Sequence, residues 1–256
     1  MTKQMEDARV DIGGIQLYCK VLGEGTDGPV IVFDSGYGVP TRRWNSIKAE
    51  VSSFSKLLIY DRAGLGRSTG DSRPHHSLQN VENLRSLLQK KEVKPPYILV
   101  GHSFGGLNVR LYASMYPEEV AGVILLDSCH EDQNKLMADE LSLDMQADYY
   151  GQFGAEGTLA EFEESLEQVR KYKTLGDMPL TVVTGGNQPD HTEESWNHWM
   201  NFQKDLAALS TNSRHVILED AGHSVHIDNP QAVIDEIRKM HEAVKQVEVG
   251  SNRENH

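Results

Sequence analysis

The stretch Gly101-His102-Ser103-Phe104-Gly105-Gly106 follows the apolar run Tyr97-Ile98-Leu99-Val100 with no spacer. It leads straight into a helical pattern from Leu107 to Tyr116. Few architectures accept a strand, so tight a turn and a helix in immediate succession. The serine at the apex must adopt a sparsely populated backbone conformation that lifts its Oγ above the end of a sheet. Gly101 and Gly105 remove the Cβ atoms that would collide where strand and helix close on each other. Ser103 is therefore the candidate nucleophile.

The elements around this turn alternate. Val10 to Val21 alternates about Gly13-Gly14 as a hairpin at a sheet edge, and Val30-Ile31-Val32-Phe33 reads as a strand buried on both faces. A helix is expected around Trp44–Val51 and a buried strand over Lys56–Tyr60. Next comes a helix with Ser77 as its N-cap that runs to Lys91, ahead of the strand at Tyr97. Further strands are expected at Val120–Leu126, Leu180–Thr184 and His215–Leu218. A last helix opens at Pro230 and runs to about Val247, followed by a polar, frayed tail from Glu248 to His256. This order predicts an α/β chain with a mostly parallel central sheet flanked by helices on both faces. The rhythm breaks between Asp127 and Met178. That stretch is too long for a connecting loop and is expected to form amphipathic helices over the C-terminal edge of the sheet. The chain thus reads as a single domain, 1–256, with a helical cap at about 130–177.

A formal charge of −13 over 256 residues argues against nucleic acid and anionic membrane surfaces as partners. The two cysteines, Cys19 and Cys129, form no Cys-x-x-Cys pair and suggest neither a disulfide scaffold nor a thiolate metal site. The N-terminus carries no apolar leader and no run is long enough to span a bilayer, so a soluble cytoplasmic protein is expected.

A serine hydroxyl needs a base. Of the 11 histidines, His223 stands on a loop after the strand His215–Leu218, at the same edge as Ser103. His75, His76, His191 and His198 fit ordinary loop histidines. His226 lies near His223 in sequence, but no acidic or thiol ligand set accompanies the two, so no metal is expected. The base needs a carboxylate to orient it. Asp127 closes a buried strand and is favoured, with Asp190, beyond Gly185-Gly186-Asn187-Gln188-Pro189, as the alternative. Asp127 could instead cap the backbone of Ser128-Cys129. Oxyanion donors are expected from the backbone N–H of Phe104 and that of Tyr37 in Ser35-Gly36-Tyr37-Gly38. The glycine-rich stretch Tyr60–Ser68 lacks a phosphate-loop ending and is taken as a structural turn.

These motifs resemble the α/β-hydrolase family along most of the chain. Gly101–Gly106 resembles its nucleophile elbow, Asp61–Ser68 its Asp-x-x-Gly-x-Gly-x-Ser turn, and Gly222-His223 with Pro230 its closing segment. Two departures stand out. Ser35-Gly36 replaces the His-Gly of many members. Many members carry their acid after the penultimate strand, near the position of Asp190, and a minority at the strand tip where Asp127 lies. The resemblance implies serine hydrolysis of ester-like bonds, including lactones, through an acyl-enzyme, with no cofactor and a small-molecule substrate. A monomer or small homo-oligomer is expected. The alternative is a slow-turnover or non-catalytic ligand sensor on the same fold.

Overall fold

The computed structural model describes residues 6–23 and 28–254. Its elements run β1 (Glu6–Asp11), β2 (Gln16–Leu22), β3 (Val30–Asp34), α1 (Lys48–Phe54), β4 (Leu57–Tyr60), α2 (Ser77–Lys90), β5 (Tyr97–His102), α3 (Phe104–Met115) and β6 (Val120–Leu126). They continue with α4 (Gln133–Leu136), α5 (Leu143–Gly151), α6 (Leu159–Arg170), β7 (Leu180–Gly185), α7 (Glu193–Ala207), β8 (Ser213–Leu218), α8 (Val225–Asp228) and α9 (Pro230–Glu254). The eight described strands form one sheet in the order β1-β2-β4-β3-β5-β6-β7-β8. The β1–β2 and β2–β4 pairs are antiparallel, and every later pair is parallel.

The central strands are apolar on both faces because both faces are covered. In β3, Val30 and Val32 enter one core while Ile31 and Phe33 enter the other. The alternation repeats in β5, with Leu99 against Ile98 and Val100, and in β6, with Val123 and Leu125 against Ile124 and Leu126. Helices α2, α3 and α6 close the first core, and α1 and α9 the second. This two-layer burial is what a parallel sheet requires.

Strand order decides where a site can form. From β3 the chain passes to β4 on one side, whereas β5, β6, β7 and β8 build out on the other. The loops leaving β3 and β5 therefore diverge and open a crevice at the carboxyl ends of adjacent strands. Asp34 pairs with Gly101 at this point, so the residues after Phe33 and the Ser103 turn are neighbours by register.

Several sequence expectations shift. The helix expected over Trp44–Val51 is a 3₁₀ segment, Thr41–Ser46, followed by α1. His76, not Ser77, caps α2, its ring Nδ1 accepting from the Gln79 N–H at 3.2 Å. Ser77 lies inside the first turn because α6 satisfies the next free amides. The Ser165 hydroxyl accepts from Ser77 N–H at 2.8 Å and Gln168 Oε1 from Leu78 N–H at 2.7 Å. Helix α7 was not anticipated, although its buried Ser195, Trp199, Phe202, Gln203 and Leu206 trace one helical stripe behind the Thr192 cap. Helix α9 continues to Glu254, where a frayed tail was expected; residues 255–256 lie outside the described ones.

The stretch between β6 and β7 is helical, as α4, α5 and α6. Helix α6 opens with a capping box between Thr158 and Glu161 and buries Phe162, Leu166 and Val169. Helix α5 buries no residue fully. It lies over the crevice as a roof.

Two stability predictions follow from this packing. A Cβ on Gly105 would stand 2.2 Å from the Asp34 carbonyl oxygen and 2.7 Å from that of Ser35, both backbone atoms. Gly105→Ala should cost about 3 kcal/mol and lower Tm, whereas Gly151→Ala, with open space around it, should leave Tm unchanged or slightly raised. Equal Tm values for the two variants would refute the close approach.

His226, 1% exposed, packs between Trp44 and His102 with ring centroids 4.6 and 4.7 Å away. Burial, with the positive charge of Arg43, lowers its pKa from 6.5 to about 3. The unfolded imidazole thus takes up a proton that the folded one refuses. Stability is full above pH 6.5 and declines as pH falls toward 3. Between pH 7 and pH 5, His226→Phe should lose about 2 kcal/mol less than the parent in urea unfolding. Parallel losses would contradict a buried neutral ring.

Candidate active site

Ser103 sits at φ +53° and ψ −120°, between the end of β5 and the start of α3. Neighbouring backbone holds this strained turn in place. Ser103 N–H donates to the Leu126 carbonyl at 3.1 Å, and its own carbonyl accepts from Gly106 N–H at 2.9 Å and Cys129 N–H at 3.2 Å. A Cβ on Gly101 would meet the Gly105 carbonyl oxygen at 2.5 Å, and one on Gly106 the Ser128 hydroxyl at 2.0 Å. The glycines are thus steric requirements of the turn.

Asp127 also has a positive φ, +43°, and is fully buried. Its conformation turns the carboxylate off the tip of β6 toward the next two strands. Oδ1 accepts from Gly185 N–H at 3.0 Å and Trp199 Nε1–H at 3.3 Å. Oδ2 accepts from Gln188 Nε2 at 3.0 Å and lies 2.7 Å from His223 Nδ1. These partners come from β7, its loop, α7 and the loop after β8. They are not the backbone of Ser128-Cys129.

A carboxylate against Nδ1 fixes the orientation of the ring and leaves Nε2 outside that contact. The His223 side chain is 45% exposed, against 0% for Asp127. Its carbonyl lies 2.9 Å from His102 Nε2, so the buried histidine preceding Ser103 ties down the loop that carries His223. Burial pushes the His102 pKa well down, and that ring stays neutral. Asp190 is exposed in the loop after β7, and among the described residues its carboxylate makes no hydrogen bond to His223. Its carbonyl accepts from the Ser142 hydroxyl at 3.5 Å.

Ser103, Phe104, Tyr37 and His223 line one pocket of about 330 Å³. Apolar groups dominate its far wall: Met137, Leu141, Met145, Tyr149, Phe162 and Trp199. Among the described residues no lysine or arginine lines it, while Asp148 and Asp190 do. The Ser103 hydroxyl contacts the Cys129 thiol at 3.8 Å. Burial pushes that thiol up to about 12, so it stays protonated beside the serine. Among the described residues, no group of three or more His, Cys, Asp or Glu side chains is arranged to hold a metal ion, and no helix is long and apolar enough to cross a membrane.

The loop after β3 rests on a buried ionic cluster. Arg62, 3% exposed, reaches from the turn after β4 between Asp34 and Glu156. Burial works against its charge, but the two carboxylates outweigh that and hold it protonated. Asp34, in turn, also accepts from the Tyr60 hydroxyl at 2.6 Å.

Sequence reasoning passed over Gln188, Trp199, His102, Arg62 and Glu156, and read His191 as an ordinary loop residue although it lines the pocket. Only for His102, inside the Gly-x-Ser-x-Gly stretch, did position alone offer a hint. The others are brought in by contacts across large sequence separations. The turn Asp61–Ser68 is a packing element, its Asp61 carboxylate accepting from Thr41 N–H at 2.7 Å and Arg67 N–H at 2.9 Å.

The chain matches the model of the alpha/beta hydrolase family over residues 31–236. It is 32% identical over 212 residues to the uncharacterized protein YqjL of Bacillus subtilis (strain 168), an alignment that covers 82% of each chain. Among solved structures it resembles Cfl2 from Burkholderia cenocepacia, with a TM-score of 0.69 and 19% identity over 92% of this chain and 95% of that one. It also resembles a thermophilic esterase from Thermogutta terrifontis, with a TM-score of 0.68 and 18% identity over 94% and 99%. A sheet that turns at β3 and β5, a left-handed serine at the bend, and a family match spanning most of the length agree: the chain belongs to the alpha/beta hydrolase family.

Proposed function

We propose that this protein is a serine hydrolase that cleaves carboxylic ester-like bonds, lactones included, through an acyl-enzyme. The observation that carries the reading is the 2.7 Å contact between His223 Nδ1 and the buried Asp127 carboxylate, on a ring that shares its pocket with Ser103. The ionised carboxylate holds the imidazole in one tautomer with Nε2 facing the pocket and stabilises the imidazolium formed during reaction. In the reactive geometry the Ser103 hydroxyl exchanges its contact with the Cys129 thiol for one with that nitrogen. Catalytic hydrogen bonds often tighten in this way once substrate is bound.

In the first step His223 Nε2 accepts the Ser103 proton as Oγ bonds to the substrate carbonyl carbon. The oxygen of the tetrahedral intermediate takes hydrogen bonds from the backbone N–H groups of Phe104 and Tyr37. His223 then donates the proton to the departing alkoxide. In the second step it removes a proton from water, which attacks the acyl group, and returns that proton to Ser103 Oγ as the acyl–oxygen bond breaks. The wall of Met137, Leu141, Met145 and Phe162 favours an apolar acyl or alcohol portion. The volume stands at the small end of ligand pockets, which run from about 300 to 1,000 Å³. With Asp148 and Asp190 and no cationic side chain in the lining, uncharged substrates are favoured over anionic ones. The helical segment at about 130–177 serves as the cap that encloses the acyl portion.

Ser103→Ala should abolish steady-state hydrolysis of p-nitrophenyl acetate while the far-UV CD spectrum and Tm stay at parental values. Asp127→Asn should lower kcat by about four orders of magnitude, and Asp190→Asn should stay within a few-fold of the parent. Parental turnover by Ser103→Ala would refute the nucleophile, and a larger loss in Asp190→Asn than in Asp127→Asn would reassign the acid.

A further inference from the structure

In the loop after β3, the carbonyls of Ser35 and Gly36 are both held by one side chain. Arg62 Nη1 donates to the Ser35 carbonyl at 2.6 Å, and Nη2 to the Gly36 carbonyl at 2.7 Å. Its remaining donors go to carboxylates. Nη1 also bonds Asp34, and Nε and Nη2 form a two-pronged contact with Glu156, the latter at 2.8 Å. The guanidinium plane is thus fixed by acids on both sides, as a planar fork with five donors allows.

A trans peptide is planar, with its C=O and N–H pointing in opposite directions. Holding the Gly36 carbonyl therefore aims the Tyr37 N–H, which belongs to the same peptide unit, away from Arg62. The guanidinium also polarises that peptide and makes its N–H a stronger donor. The Arg62 guanidinium carbon lies 5.2 Å from the centre of the Phe104 ring, so one cation borders the residues that carry both proposed donors.

Glu156 lies between α5 and α6, in the helical segment over the pocket, and is far from Arg62 in sequence. Its Oε2 also accepts from Gly38 N–H at 2.9 Å. Next to it, Gly157 N–H donates to the Tyr37 hydroxyl at 2.9 Å. The roof of the pocket is therefore hydrogen-bonded to the loop at Tyr37 and Gly38, and to the arginine that orients Gly36.

We infer that Arg62, clamped by Glu156, is a positioning residue that sets the direction of the Tyr37 N–H and so makes assembly of the oxyanion donors depend on seating of the helical segment. This rests on the proposed role of Tyr37 in the hydrolytic reading. Arg62 touches no substrate and acts through one peptide plane. Glu156 acts through Arg62 and through the Gly38 N–H it accepts from.

The test uses the full chain and the variants Glu156→Gln and Arg62→Lys. Glu156→Gln keeps size and one acceptor but turns an amide NH₂ toward the guanidinium. Arg62→Lys cannot span both carbonyls and both acids. For each, kcat and KM are measured on a p-nitrophenyl ester. The inhibition constant is measured for an aryl trifluoromethyl ketone, whose carbonyl carbon bonds Ser103 and whose oxygen becomes the oxyanion. The dissociation constant of the corresponding alcohol, which cannot form that oxyanion, is measured in parallel. Losing one oxyanion donor costs about a hundred-fold or more, so Arg62→Lys should lower kcat by about that factor and Glu156→Gln by about ten-fold, with KM changed less than about three-fold. Ketone affinity should fall in step with kcat/KM while alcohol affinity holds.

Folded variants with parental kcat and ketone affinity would overturn the inference. So would an equal weakening of ketone and alcohol, which marks a general disturbance of the pocket. Because Glu156→Gln leaves the Arg62 guanidinium and its bonds to the Ser35 and Gly36 carbonyls in place, it carries the test if Arg62→Lys lowers Tm below the assay temperature. A parent that neither turns over esters nor forms the ketone adduct fails at an earlier point and would overturn the hydrolytic reading itself.

Discussion

The close approach of α3 to the ends of β3 and β6 is the constraint on which the rest depends. It exists only because Gly101, Gly105 and Gly106 present no side chain, and it leaves Ser103 no ordinary conformation. The strain at φ +53° is held by backbone hydrogen bonds to Leu126, which β-sheet register has already placed, and to Gly106 and Cys129. The sheet edge thereby becomes the floor of a pocket, with a hydroxyl raised above it. Because the chain diverges after β3 and β5, the loop carrying Tyr37 is set beside that hydroxyl.

Two buried acids show how differently a carboxylate can be stabilised in an interior. Asp127 has no strong cation beside it and is held by donors from Gly185, Gln188, Trp199 and the His223 ring. Hydrogen bonding to the ionised form can replace solvation, and it also fixes direction. Asp34 instead faces Arg62, and burial still raises its pKa. A buried ion pair is weak evidence for stability, since desolvation offsets much of the attraction. Its value here lies in geometry, because every Arg62 donor is committed to a group whose direction matters to the crevice.

The helical segment between β6 and β7 takes part in both arrangements. Helix α6 satisfies the free amides at the start of α2, which is why His76 and not Ser77 ends up as the cap. The turn before it supplies Glu156 to the ionic cluster. Helix α5 buries no residue fully, and its Met145 and Tyr149 pack against the cluster of Met137, Leu141, Trp199 and Phe202. Roof and floor are therefore joined by polar contacts at Glu156 and Gly157 and by the rings of Phe153 and Phe162 against Tyr37.

The order of buried strands, the elbow and the class of fold were legible in the sequence because they follow from local rules. Apolar runs bounded by turns, glycines flanking a serine and a proline opening a helix each act within a few residues. Ser103 and His223 were marked out as candidates for the same reason. Helix α7 was equally local and was overlooked, although its stripe from Ser195 to Leu206 has the period of a helix. By contrast, nothing along the chain beyond an argument from position could tell which of Asp127 and Asp190 lies against His223, because that contact joins groups 96 residues apart. Arg62 and Glu156, 94 apart, were likewise invisible as a pair. Tertiary structure alone decided those pairings, since the direction of a buried side chain is set by whichever polar groups the sheet brings within reach, and sequence spacing does not encode that distance.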